Sequence, residues 1–289
     1  MSSIWRPVRE RNPVRSLMVV VAHPGDEAFG FAGAIASAAS QGAYVVVVCA
    51  TRGYFDARLL DKPPAPGGRN RSYNKPVVWR NLDTVREDEM RRSVSLLGVR
   101  VVRMLDYAEG QLPEVDFEQL VARLVEPIRM HRPEVILSFG PNGATGDPDH
   151  VVLSRAVRAA FRRAGEPLAY EDDIEEDQVA WRAAKLYDLV IPPTQLAALG
   201  DRVPAGYGST EAPTLTLQLA DVAGLKLAAI DRHVSQTGSG GAFADWTREA
   251  RDAYLATESY RLVASNLPVP AGIEEGASAA ESGLFDGLV

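Results

Sequence analysis

The chain has 289 residues, 38 acidic against 31 basic side chains and a formal net charge of −7, with 46% hydrophobic and 24% charged residues. This is the composition of a globular protein able to bury a core without disulfides or structural metal, and the negative balance argues against a general nucleic-acid binder. No apolar run approaches the roughly 18–20 residues of a spanning helix. With Cys49 as the only cysteine, the expectation is a cytoplasmic protein in a reducing compartment, with neither membrane nor nucleic-acid partners.

The basic opening MSSIWRPVRERNPVR is followed by no apolar stretch of signal-peptide length. LMVVVAH (17–23) and AYVVVVCAT (43–51) read as strands buried on both faces, because they are almost continuously apolar. The Ala/Gly-rich segment Glu27–Gln41 between them reads as one helix packed closely on the sheet. Residues 54–82, rich in Pro, Gly, Arg and Asn, are too long for a plain connection and read as a lid or binding loop. In VREDEMRRSVSLLGV (85–99), Val85, Met90, Val94 and Leu97 recur at helical spacing and Gly98 supplies a C-cap.

Strand VVRMLD (101–106) follows, then helix Phe117–His131 halted at Pro133, strand EVILSFG (134–140) and helix 150–165. The acidic run EDDIEED (171–177) reads as a solvated surface. Strands KLYDLVI (185–191) and TLTLQL (214–219) and a helix around Asp221–His233 complete the pattern. Alternation of apolar strands with helices predicts an α/β domain, its mostly parallel sheet covered by helices on both faces. A single domain spans 1–267, with the insertion at 54–82 and a loosely ordered tail at 268–289.

In open parallel sheets ligands bind beyond the carboxyl ends of the strands. Two glycine-rich turns lie there: His23-Pro24-Gly25-Asp26-Glu27 after the first strand, and Gly140 to His150 (GPNGATGDPDH) after LSFG. Imidazole and carboxylate ligands with one position left open are the composition of a catalytic zinc site. His23 and Asp26, three apart across a turn, can reach one ion, and His150 can complete the set. The bland alternative for His150 is a helix-cap position, and for Glu27 a carboxylate favoured by the helix dipole. Arg52 and Gly53 read equally as a turn or a ligand contact. Asp106, Tyr107 and Glu109 end a strand on the same edge and offer a ligand contact, whereas His131 reads only as a partner of its helix C-terminus. No G-x-G-x-x-G follows the first strand and no G-x-S-x-G elbow is present, which argues against dinucleotide binding and serine-hydrolase chemistry.

AHPGDE resembles the AHPDDE signature of the LmbE/PIG-L family of zinc-dependent N-deacetylases, and GATGDPDH resembles its G-x-x-G-H-P-D-H signature. ATRG (50–53), VREDEMRRSVSLLGV, LDYAEGQL, Lys226 and His233-Val-Ser235-Gln236 continue the resemblance in the family's order. It implies a Rossmann-like fold and hydrolysis of an N-acyl group, usually acetyl, from an amino-sugar-containing small molecule. Carried over position by position, it implies His23, Asp26 and His150 as ligands of Zn2+, with Fe2+ an alternative for a His/Asp set. It further implies Arg86 as a substrate-holding residue, with Arg52 and Asp106 beside it, and His233 as an active-site wall or acid. Asp149 falls where the family has an aspartate that orients one of the histidines.

Two positions depart from the family pattern. Gly25 replaces the aspartate that serves as general base, and Asp147 replaces a histidine that assists the substrate carbonyl. The expectation is relocation, with Asp147 acting as the base. The alternative is a catalytically impaired protein that binds metal and a sugar conjugate or a partner protein.

Overall fold

The computed structural model describes residues 15–53, 82–170, 179–199, 207–209, 211–237, 243, 246–267 and 281–288. A seven-stranded sheet runs through it in the order β3-β2-β1-β4-β5-β7-β6. Its strands are β1 Ser16–Val21, β2 Tyr44–Thr51, β3 Val101–Tyr107, β4 Val135–Phe139, β5 Lys185–Val190, β6 Leu215–Gln218 and β7 Thr257–Ser265. Strands β1 to β5 are parallel, and β7 runs antiparallel between β5 and β6. Every residue of β1, β4 and β5 is buried, as their apolar runs require. This is the expected α/β, Rossmann-like architecture.

The order fixes the place of a site. The chain leaves β1 toward β2 and β3 on one side, then returns to β4 and β5 on the other. The connections after β1 and β4 therefore diverge, opening a crevice at the carboxyl ends of these adjacent strands.

Of the helices, α3 (Leu82–Leu96) and α4 (Phe117–His131) follow the sequence pattern closely. Asp116 caps α4 by accepting from the amide of Gln119 at 3.0 Å. Three departures have physical causes. The helix expected over 27–41 is two, α1 Asp26–Gly30 and α2 Ala32–Ser40, broken at Phe31. The Phe31 ring is fully buried and meets Phe139 edge-on with centroids 5.6 Å apart, and the new start of α2 is capped by Glu258, which accepts from the amides of Gly33 and Ala34 at 2.8 Å each. Helix α5 (Pro148–Arg163) starts earlier than expected, with Pro148 in its first turn and Asp147 as its cap. The helix expected around 221–233 is α7 (Ala223–Ile230) followed by the short α8 (Val234–Thr237). Helices α6 (Pro193–Leu199) and α9 (Arg248–Ala256) and strand β7 have no counterpart in the sequence reading.

The segment expected to be a loose tail is packed where it is described. Lys185 at the start of β5 is buried, and its ammonium meets Glu281 at 2.6 Å while the Tyr187 hydroxyl donates to the same carboxylate at 2.7 Å. Leu284 joins the core. The readings for 54–81, 171–177 and 268–280 lie outside the described residues, among which no helix is long and apolar enough to cross a membrane.

Candidate metal centre

The turn after β1 is built around Asp26, whose Oδ2 accepts from the amide of His23 at 2.8 Å. The turn after β4 delivers His150 into the first turn of α5, with its ring stacked on Phe139 at 4.0 Å between centroids. Three donor atoms meet between these turns. His150 Nε2 lies 3.2 Å from His23 Nδ1 and 3.3 Å from Asp26 Oδ2, and His23 Nδ1 lies 3.7 Å from Asp26 Oδ2.

The far sides of both rings are tied. Buried Asp149 sits 3.0 Å from His23 Nε2 and also accepts from the amides of Gly110 and Leu112 at 2.6 and 3.0 Å. His150 Nδ1 lies 3.0 Å from the carbonyl of Gly143 and 3.1 Å from Thr145 Oγ1. A proton held at each outer nitrogen leaves a lone pair on each inner one, directed at the other and at a carboxylate. Three electron-pair donors this close together call for a cation. Donors about 2.0–2.1 Å from one tetrahedral ion stand roughly 3.3 Å apart, which is the spacing found. The residues fit a divalent metal with an open fourth position. The carboxylate favours positive charge at this point: burial alone would lower the pKa of His150, but Asp26 beside it pushes it up to about 9, and a bound cation would take the place of that inner proton. Burial would likewise raise Asp26, yet the two histidines hold it well below the ordinary carboxylate range.

A cavity of about 680 Å³ opens onto this cluster. It is lined by His23, Asp26, His150 and Asp147, and by Arg86 and Glu109, which form an ion pair. Arg86 also donates to the carbonyl of Pro24 at 3.1 Å. Asp147 Oδ1 is engaged as the cap of α5, accepting from Asp149 N at 2.8 Å and His150 N at 3.4 Å.

Four expected site residues do not line the cavity: Asp149, which backs the His23 ring, and Arg52, Asp106 and His233. Arg52 and Asp106 pair with each other at 2.6 Å, Arg52 also meeting Glu87 at 2.5 Å, so their charges are spent outside it. His233 is fully buried, its Nε2 2.6 Å from Glu27 Oε1. It cannot be a wall or acid in contact with substrate; instead it anchors Glu27, whose other oxygen accepts from the amide of Gly25 at 2.8 Å. Glu27 is thus a first-turn carboxylate of α1, as expected, and it is buried and paired.

A profile for PIG-L, GlcNAc-PI de-N-acetylase, matches residues 18–161. A 1D-myo-inositol 2-acetamido-2-deoxy-alpha-D-glucopyranoside deacetylase from Streptomyces griseus is 30% identical, over 96% of this chain and 90% of its own. The chain belongs to the PIG-L family. Among solved structures, an N,N'-diacetylchitobiose deacetylase from Pyrococcus horikoshii shares the fold at a TM-score of 0.64 and 20% identity, covering 86% of this chain and 84% of that one. A 4-carboxy-2-hydroxymuconate hydratase from Pseudomonas putida shares it at 0.61 and 19%, covering 89% and 99%. The fold therefore hosts more than one chemistry, and the argument for function rests on the site.

Against the PIG-L pattern, the departure at Gly25 has a structural counterpart. Gly25 has φ +111°, and a Cβ there would lie 3.0 Å from both Cδ and Nε2 of Gln236 and closer still to Oε1. Gln236 Nε2 donates to the carbonyl of Pro24 at 2.9 Å, and the side chain lines the cavity. The volume a residue-25 side chain would use is occupied by a neutral carboxamide. Sequence reading noted Gln236 only as part of a motif; its proximity to Gly25 could not be inferred without the fold.

Proposed function

We propose that the protein is a zinc-dependent hydrolase that cleaves the N-acyl amide of an amino-sugar conjugate, releasing a free amine and a carboxylate. The observation that carries this reading is the convergence of His23 Nδ1, Asp26 Oδ2 and His150 Nε2 within 3.2–3.7 Å, their outer partners in place, in a chain of this family. Zinc bound by these three residues supplies a Lewis acid and lowers the pKa of water to about 7.

The chain's own residues account for the rest. Asp149 fixes the orientation of the His23 ring through a carboxylate–histidine contact, the arrangement that raises the basicity of a ligating imidazole. Asp147 lines the cavity next to His150 and is the carboxylate proposed to take a proton from water and return it to the leaving amine. Arg86 and Glu109, on the β3 side of the cluster, are proposed to hold sugar hydroxyls. Glu27 and His233 are positioning residues that hold the Gly25 amide and so the turn that carries His23 and Asp26.

Elemental analysis of the purified protein beside His150→Ala, with amine release measured from N-acylated glucosamine conjugates, tests this reading. It predicts one equivalent of zinc, lost together with amine release in the variant. No metal after reconstitution would overturn it. A second reading, a metal-binding protein without turnover, draws on the neutral Gln236 at the position of the family's base; it predicts a full equivalent of zinc and no amine released from any conjugate.

A further inference from the structure

Resting on the hydrolase reading, we infer that the substrate's acyl group is a medium-to-long apolar chain, held in an arm of the cavity that an acetyl group would leave empty. The sheet order divides the cavity at the metal cluster. The donors stand at the ends of β1 and β4, in the middle of the sheet. On the β3 side lie Arg86 and Glu109, an ion pair that lines the cavity. On the β5–β7 side the lining is chiefly apolar, with Phe29, Leu189, Val190, Ile191, Trp246 and Tyr254, and its uncharged polar side chains include Gln195 and Tyr207.

This second arm is preformed. The Trp246 and Tyr254 rings meet edge-on at 5.4 Å between centroids, and the Tyr254 hydroxyl donates to the carbonyl of Phe29 at 2.7 Å, fixing the ring. Its charged residues, Lys226 and Glu258, neutralise each other at 2.9 Å, and both are buried. The Glu258 oxygens already accept from Gly33 N, Ala34 N and the Tyr260 hydroxyl, each at 2.8 Å. The Ser259 hydroxyl pairs with Thr216 at 3.1 Å. A polyhydroxylated ring entering here would lose water and find few partners, and each hydroxyl left unpaired is unfavourable. An alkyl chain loses nothing and gains from burial against aromatic and aliphatic walls.

The direction of the chain follows from the amide. Its carbonyl must face the donor cluster, so the amine-bearing sugar and the acyl carbon chain leave on opposite sides. The polar arm suits the sugar hydroxyls, and the apolar arm takes the acyl chain.

The test uses the full-length, zinc-loaded protein and four probes: N-acetyl-, N-hexanoyl- and N-octanoylglucosamine, and octyl 2-acetamido-2-deoxyglucoside, which carries the same chain on the anomeric oxygen. Amine release gives kcat/KM, and calorimetry gives Kd independently of turnover. Burial of each methylene is worth about 0.8 kcal/mol, or roughly fourfold, so kcat/KM is expected to rise by at least about 30-fold from acetyl to octanoyl even with partial burial of the chain. Trp246→Ala should bring the octanoyl-to-acetyl ratio toward unity. A flat or falling series in the parent protein, or a preference for the octyl glycoside over the N-octanoyl compound, would overturn the acyl assignment. Tight, Trp246-dependent binding of N-octanoylglucosamine with no amine released from any probe would overturn the hydrolase reading and leave the apolar arm standing.

Discussion

Restoring the family's carboxylate at position 25 is the obvious repair of this site, and the structure predicts that it fails when made alone. Gly25 sits at φ +111° and ψ −38°, a region that side-chain-bearing residues rarely enter, at a cost of about 1–3 kcal/mol. The new side chain must also displace Gln236, whose hydrogen bond to Pro24 is worth about 0.5–1.5 kcal/mol. Gly25→Asp is therefore expected to destabilise the protein by about 2–4 kcal/mol. At roughly 2–4 °C per kcal/mol for a domain of this size, the midpoint falls by about 5–15 °C. Gln236→Ala removes the obstruction but not the backbone strain, so the double variant should recover about 1 kcal/mol of the loss. Only the double variant should gain turnover, up to about 10²-fold where a general base is restored. Thermal unfolding and amine release across the four proteins of the cycle measure both quantities. A single Gly25→Asp variant as stable as the parent, and faster, would refute the reasoning that Gln236 and the backbone together exclude a side chain at this position.

The remaining predictions are narrower. Asp149→Asn keeps the shape of the turn but weakens the carboxylate held against His23, and zinc affinity measured by chelator competition should fall about 10–100-fold. Asp147→Asn retains a good helix cap, so unfolding should move by less than about 0.5 kcal/mol while turnover falls about 10²-fold or more; unchanged turnover would remove Asp147 from the mechanism. Asp188 on β5 is buried, and burial outweighs the Arg158 guanidinium beside it, raising its pKa from the ordinary value to about 6. Because the folded value lies above the unfolded one, the stability linked to this proton is full below about pH 4 and is lost as pH rises through 6. Asp188→Asn should therefore gain about 2 kcal/mol relative to the parent between pH 4.5 and 7.5, read from urea unfolding at the two pH values.

Much of the fold was legible because its signals are local. The continuous apolar runs of β1, β2 and β4 could only be strands buried on both faces, and Asp116 and Pro133 bracket α4 in the sequence itself. The donor set was legible for a related reason, since glycine-rich turns carrying His and Asp at the ends of apolar strands display those side chains at the sheet edge. What stayed hidden depends on partners distant in sequence. The break at Phe31 needs Glu258 from β7 to cap the second helix. The burial of His233 needs Glu27, and nothing local distinguishes it from a histidine exposed in a pocket. Arg52 and Asp106 looked like substrate contacts individually; they neutralise each other once β2 and β3 lie side by side. Helix α9 passes into β7 without a glycine or proline between them, so no punctuation marked either element.

The distribution of these partners bears on why the site carries two substitutions. Each group that orients a donor is buried and paired: Asp149 with His23, the Gly143 carbonyl with His150, and Glu27 with His233 Nε2 beneath the Gly25 amide, although His233 Nδ1 has no partner. Removing any of them would leave a buried polar atom unpaired, so the metal-holding frame is constrained by folding as well as by function. Gly25 and Asp147 are different. Gly25 sits against a side chain that lines the cavity, and Asp147 lines it directly, so these positions meet the cavity rather than hold a donor, although Asp147 also accepts from the amides of Asp149 and His150 and only another capping residue can replace it. Asp147 even gains the α5 cap. Change confined to cavity-facing positions, around an intact donor set, is the pattern expected when chemistry or substrate shifts on a retained metal site. Loss of function removes the pressure on the donors first, because the mutual repulsion of two imidazole lone pairs and a carboxylate is relieved by replacing any one of them. All three are still present, which favours a retained metal site, and amine release is what separates the relocated base from the metal-binding reading.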